Sequence, residues 1–316
     1  MKTAVLRRRA RNLPSLMDPK QPIGIIGLGN MGGAFAASLH RAGHPTLGFD
    51  IDRTRADLFE ADGGQAKASP AEVAANCDIL ITSLPSVRAL EDVIGGDGGL
   101  LSAGRRELVV IEASTLPLDA KEAAHEILSS ISSVLLDCPV SGTAAQARVG
   151  DLTVFASGDR ATVEKVVWVF EAVGRSWHYV GEFGVGSKMK FIANLLIAVH
   201  NLAAAEALLL AKSAGLDPRL VHQVISDSAA TSRMFEVSGR IMVDGDFADG
   251  EAKVEILHKD LQIIRSFASD ARSPAPLLAV TTEFYTSAMA LGMHSMEDAS
   301  VSVVLERLAG PVVQDG

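Results

Sequence analysis

A short apolar run, Ile23–Ile26, leads directly into Gly27-Leu28-Gly29-Asn30-Met31-Gly32, and a helical pattern follows to Arg41. A strand that becomes a helix through G-x-G-x-x-G leaves few folds open. Gly27 permits the tight turn, Gly29 lets backbone approach a pyrophosphate, and Gly32 lets helix and strand pack closely. The helix N-terminus then offers free N–H groups and partial positive charge to that anion. Asp50 ends the next apolar run, Pro45–Phe49, 23 positions after Gly27. A carboxylate there accepts hydrogen bonds from ribose hydroxyls and repels a 2′-phosphate, so NAD is expected in preference to NADP. Arg53 and Arg55 are the residues within reach of a 2′-phosphate; their other reading is a solvated helix start.

Further short apolar runs occur at Ile79–Ser83, Leu108–Ile111, Val134–Leu136, Leu152–Ala156 and His178–Val180, with helical segments such as Ala71–Asn76 between several of them. Alternating strands and helices predict right-handed crossovers and an α/β Rossmann fold with a doubly wound, mostly parallel sheet. The pattern changes at Gly184. Ser187–Ser213 reads as one long helix, followed by helices near Arg219–Ser226, Glu251–Ala268, Pro276–Leu291 and Met296–Leu308. The expected division is a basic, disordered leader over 1–20, a Rossmann domain over 21–183, and an all-α C-terminal domain over 184–316 that begins with a long interdomain helix.

The 316-residue length suits about two domains. A net charge of −9 and an aromatic content of 5% argue against a nucleic-acid partner. The most apolar stretch, Phe191–Ala211, is interrupted by Asn194, His200, Asn201 and Glu206, which predicts a buried helix and no membrane partner. The leader carries Lys2, Arg7, Arg8, Arg9, Arg11 and Lys20 against Asp18 alone, without the apolar core of a secretory signal. It reads as a leader, as an over-long start ahead of Met17, or as a transit peptide. Cys77 and Cys138 are too few for a disulfide framework and fit reduced thiols in a cytoplasmic setting, or the mitochondrial matrix if the leader is a transit peptide. The eight histidines offer no helically spaced pair within one helical segment, so no metal site is expected.

Gly27–Gly32 resembles the G-L-G-x-M-G opening of the β-hydroxyacid dehydrogenase family, within the 6-phosphogluconate dehydrogenase superfamily. Three more motifs follow in that family's order. Asp137-Cys138-Pro139-Val140-Ser141-Gly142 resembles D-x-P-V-S-G-G. Gly184 to Asn194 matches G-x-G-x-x-x-K-x-x-x-N through Gly186, Lys190 and Asn194, and Lys259-Asp260-Leu261 matches K-D-L. The resemblance covers residues 23 to about 308. It implies catalysis in a cleft between the domains: hydride transfer between NAD(P) and a small anionic β-hydroxy acid or its semialdehyde or keto acid. By motif position Lys190 is the general acid/base, and burial on an apolar helix would lower its pKa. Asn194, one turn on, shares its helix face. Ser141, Gly142, Thr143, Thr115 and Asp260 are implied at the substrate. Gly27, Leu28, Gly29, Asn30, Met31, Gly32, Asp50, Leu84, Pro85, Thr115 and Lys259 are implied at the cofactor.

The chain departs from the family at Thr143 and Gln146, where glycines are usual, and at Ala252, near a common aromatic position. Added hydrogen-bonding groups and lost bulk lead to the expectation of a more polar or larger hydroxy acid. Imine reduction and non-catalytic NAD sensing are the alternatives; Lys190 argues against the first, and Lys190 with Asn194 against the second. The apolar side of Phe191–Ala211 exceeds what one small domain covers, which predicts a homodimer or homotetramer.

Overall fold

A computed structural model describes residues 21–248 and 250–310; the leader read over 1–20 lies outside them. The first half alternates β1 (Ile23–Ile26), α1 (Asn30–Arg41), β2 (Thr46–Phe49), α2 (Arg53–Ala61), β3 (Gln65–Ala66), α3 (Pro70–Asn76), β4 (Ile79–Thr82), α4 (Val87–Gly95), β5 (Val109–Glu112), α5 (Leu118–Ser130) and β6 (Val134–Asp137). Then come β7 (Val140–Ser141), α6 (Ala144–Arg148), β8 (Thr153–Ser157), α7 (Arg160–Lys165), α8 (Val167–Val173) and β9 (Ser176–Gly181). The sheet order is β3-β2-β1-β4-β5-β6-β8-β7, with β9 on β8. The strands from β3 to β6 are all parallel, whereas β8 runs antiparallel to β6 and β7. Strand order reverses between β1 and β4, the crevice where doubly wound sheets bind ligands.

β1, β4 and β5 are buried along their whole length, because helices cover both sheet faces. Ile23, Ile25, Phe35, Ile81 and Phe170 belong to the core on one side; Ile26, Val73, Leu80, Val110 and Leu135 belong to the other.

After Gly181 no further strand forms among the described residues. α9 (Val185–Ser213) is followed by α10 (Pro218–Ser226), α11 (Arg233–Asp244), α12 (Val254–Asp270), α13 (Pro276–Ala290) and α14 (Val301–Ala309). With 29 residues α9 is about 43 Å long. It is the one helix among the described residues long and apolar enough to cross a membrane by length and composition. Here its Phe191, Ala198, Leu202 and Ala205 pack with Leu257, Leu261, Tyr285 and Val301 at the centre of the helical half.

Two sequence expectations need correction. The helix read from Glu251 starts at Val254, because the chain bends at Glu251 and Ala252 and Lys253 is extended, a strap held against the segment before α14. Lys253 bridges Glu297, the Ala252 N–H lies 3.3 Å from Glu297 Oε2, and the Asp298 N–H donates to the Ala252 carbonyl at 2.6 Å. Correspondingly, the helix read from Met296 begins as a 3₁₀ turn at Asp298–Ser300. α11 was not read at all. Yet Phe235, Met242 and Val243 recur at helical spacing and pack together, Ser232 caps its start and left-handed Gly245 ends it.

Candidate active site

The glycine turn sits at the β1 end of the crevice. A Cβ on Gly32 would lie 1.8 Å from the Gly27 carbonyl oxygen, so this close approach admits only glycine. α1 begins after Gly29 without a side-chain cap, which leaves the N–H groups of its first turn for an anion. The Asp50 carboxylate is 6% exposed. Its oxygens accept from the N–H groups of Leu28, at 2.7 Å, and Asp52, at 2.8 Å. Asp50 thus ties the turn to the end of β2. Arg53 pairs with Asp57 and Glu60 along α2. Arg55 instead lies 3.7 Å from Asp50, with its guanidinium 3.0 Å from where a Gly29 Cβ would stand. Ile51, beside Asp50, is 95% exposed, an apolar side chain that sequence reasoning had passed over. Asn30 is exposed and Met31 half-buried at the helix start; half-buried Leu84 and exposed Pro85 follow β4 across the crevice. Uncapped N–H groups, closely packed glycines and a carboxylate at the end of β2 fit a nicotinamide dinucleotide.

A second cluster joins the two halves. Asn194, buried on α9, donates from Nδ2 to Asp260 Oδ2 on α12 at 2.7 Å. Asp260 Oδ1 is 2.8 Å from Lys259 Nζ, an ion contact without hydrogen-bond alignment. Lys259 Nζ in turn donates to the carbonyl of Thr115, beyond β5, at 2.6 Å. Lys190 is one turn before Asn194 and makes no hydrogen bond or ion pair with a described residue. Burial holds its ammonium below the usual lysine range; Asp260 opposes that shift and Lys259 adds to it. An amine without a fixed partner and with a lowered pKa is suited to proton transfer.

Ser141 ends β7 opposite Thr153, and Gly142 follows with φ +135°. Thr143 has a local task besides the one expected of it. Its Oγ1 accepts from the Gln146 N–H at 3.3 Å, and Gln146 Oε1 accepts from the Thr143 N–H at 3.0 Å. This capping box starts α6 and engages the Gln146 side chain, while the Thr143 hydroxyl serves it only as an acceptor and keeps its O–H to donate. Glu251 reaches across from the strap: it accepts from the Ala145 N–H and lies 3.3 Å from Arg148. No sequence signal links positions more than a hundred residues apart.

Sequence reasoning also missed a buried ionic group behind these loops. Lys121 on α5 has no solvent exposure, and its Nζ lies 2.9 Å from Asp137 Oδ1 and 3.8 Å from Glu112 Oε1. The only hint in the sequence is one carboxylate closing each of two apolar strands.

Two family models match: the NAD binding domain of 6-phosphogluconate dehydrogenase over residues 22–181, and the NAD-binding domain of NADP-dependent 3-hydroxyisobutyrate dehydrogenase over 184–305. The 2-(hydroxymethyl)glutarate dehydrogenase of Eubacterium barkeri is 31% identical over 95% of this chain and 100% of its own. The L-threonate dehydrogenase of Cupriavidus necator is 35% identical over 88% and 94%, respectively. A crystal structure of 3-hydroxyisobutyrate dehydrogenase from Salmonella typhimurium has TM-score 0.81 and 32% identity, covering 90% of this chain and 100% of that one. Solved imine reductases, at 19% identity or below, share the fold alone, which leaves the imine reductase alternative less favoured. The chain belongs to the β-hydroxyacid dehydrogenase family and is an NAD(P)-dependent oxidoreductase acting on hydroxy acids.

Proposed function

We propose that Lys190 is the general acid/base of hydride transfer between a small anionic hydroxy acid and its carbonyl product. One observation carries the reading: an amine without an ion-pair partner, its pKa lowered, stands one turn from Asn194, whose amide is held by Asp260. The nicotinamide, when bound, accepts or supplies the hydride. Lys190 Nζ takes the hydroxyl proton during oxidation and returns it to the carbonyl oxygen during reduction. Asn194 orients the substrate oxygen or the lysine. Ser141 and the backbone around Gly142 take the substrate carboxylate. Lys259 holds Thr115 against α12 and adds positive charge to a cleft in an otherwise acidic chain.

The substrate class favoured is a hydroxy acid bulkier or more polar than 3-hydroxyisobutyrate. The support comes from the relatives named for 2-(hydroxymethyl)glutarate and L-threonate, from the small side chain of Ala252 and from Thr143, whose O–H its helix cap leaves free to donate. NAD is favoured over NADP by the Asp50 carboxylate at the end of β2, with Arg55 tempering the preference. A second copy of the chain is the expected partner, since Ile192, Leu196 and Leu210 leave α9 with exposed apolar surface; a monomer by light scattering would overturn this.

The test is a panel of hydroxy acids and semialdehydes, each with NAD and NADP, for wild type and Lys190→Ala. Loss of the acid/base should lower the rate by about 10²–10⁴-fold. Unchanged turnover removes Lys190 from the mechanism. A best kcat/KM on 3-hydroxyisobutyrate overturns the substrate reading.

A further inference from the structure

The buried ionic group lies between the sheet and the start of α9. Lys121, Glu112, Asp137 and Ser157 have no exposure, and Ser187 has 1%. Lys121 Nζ donates to the Ser114 carbonyl at 2.6 Å as well as to Asp137 Oδ1. Ser114 Oγ accepts from the N–H of Leu84, at the exit of β4, at 2.8 Å. Glu112 accepts from the Ser114 N–H at 2.7 Å and from Thr82 Oγ1.

Asp137 faces α9. Its Oδ2 accepts the Ser187 N–H at 2.7 Å and its Oδ1 accepts the Ser187 hydroxyl at 2.8 Å. Ser157 Oγ donates to the Asp137 carbonyl at 2.8 Å and accepts from the Gly186 N–H at 2.9 Å. A Cβ on Gly186 would lie 2.5 Å from the Asp137 carbonyl oxygen, so the helix start is pressed onto the strand ends. Ser187 is three residues before Lys190, and such pairs are neighbours on a helix surface.

We propose that Lys121, Asp137 and Ser187 form a positioning chain for the reaction. The Lys121 ammonium holds the Asp137 carboxylate in the sheet. That carboxylate grips both donors of Ser187 and so sets where Lys190 meets the substrate. Through Ser114 the same ammonium supports the Leu84 and Thr115 loops on the other side of the crevice. None of the three residues touches the reacting atoms; they act through Lys190, and the proposal therefore rests on the Lys190 reading. The charge arrangement supports an intact pair: burial disfavours the Lys121 ammonium, yet Asp137 and Glu112 outweigh it and raise its pKa above the usual lysine value.

Lys121→Met strips buried carboxylates of their counter-charge and endangers the fold, so the test uses Ser187→Ala, which removes one hydroxyl and keeps the Lys121–Asp137 pair. Misplacing a reacting group by about 1 Å costs up to about 100-fold, so loss of one of two anchors should lower kcat about tenfold. Dinucleotide affinity by fluorescence titration should stay within about twofold, because the glycine turn is untouched. Ser187→Thr, which keeps the hydroxyl, should recover most of kcat. In a double-mutant cycle with Lys190→Ala, the Ser187→Ala penalty should vanish. The proposal is overturned if Ser187→Ala retains wild-type kcat while Lys190→Ala is slow, or if its penalty is undiminished in the Lys190→Ala background. Wild-type turnover by Lys190→Ala overturns it together with the Lys190 reading.

Discussion

Asp298 provides a quantitative test of the helical half. Its carboxyl is 7% exposed at the hub of α9, α13 and the turn before α14. Asn201 Nδ2 donates to Oδ1 at 3.0 Å, and Tyr285 donates to the Asp298 carbonyl at 3.2 Å. Burial, with the neighbouring Glu297, pushes the Asp298 carboxyl up from 3.8 to about 7. A carboxyl with a raised pKa keeps, in the folded state, a proton that the unfolded chain has already lost. Its contribution is therefore present at low pH and is lost as pH rises from about 4 to about 7. A shift of about 3 units at about 1.4 kcal/mol per unit sets a ceiling of about 4 kcal/mol, of which about 3 falls between pH 5 and pH 8. Asp298→Asn keeps a carbonyl acceptor for Asn201 and removes the titration. Urea unfolding, followed by circular dichroism, should find variant and wild type within about 1 kcal/mol at pH 5 and the variant more stable by about 3 kcal/mol at pH 8. Glu297, also raised by burial, is present in both proteins, and its repulsion of Asp298 is part of the shift counted above. A difference that stays constant from pH 5 to pH 8 would refute the reasoning.

The lowered pKa of Lys190 gives opposite pH profiles for the two directions: oxidation, which needs the neutral amine, rises with pH through that pKa, and reduction, which needs the ammonium, falls. Steady-state rates in both directions check the pair, and parallel profiles would exclude a shared lysine. Gly32→Ala should weaken dinucleotide binding by more than about tenfold, since the new Cβ meets the Gly27 carbonyl at 1.8 Å. Gly33→Ala, whose Cβ finds its nearest neighbour at 3.5 Å, should bind normally and raise stability by about 0.5–1 kcal/mol in thermal melts. Arg55→Ala should raise KM for NADP by about 5–10-fold and leave KM for NAD within about twofold, because it removes a cation beside Asp50 and Gly29.

Local patterns in the sequence determined a good deal of this protein. β1 has the bounds its apolar run predicted, and α9 ends at Ser213 as the unbroken helical pattern required. Strands buried on both faces write continuous apolar runs, and a glycine turn between strand and helix writes its own signature; both are legible because their causes lie within a few residues. α11 carried a legible signal in Phe235, Met242 and Val243 between a cap and a stop, whereas the strap at Glu251–Lys253 escaped because contacts with distant Glu297, Asp298 and α6 hold it out of the helix. The motif resemblance supplied the names of the site residues but not their partners. Lys121 has no local sequence signal that marks it as buried. It becomes a buried cation only because α5 packs where β5 and β6 end in Glu112 and Asp137. Thr143 takes part in a capping box with Gln146, a local pairing that the motif resemblance did not supply. Chain-local forces set which segments are strand or helix. The ionic partners of Lys121, the anchoring of Asn194 by Asp260 and the reach of Glu251 to α6 join elements far apart in sequence, so only the packing of those elements could decide them.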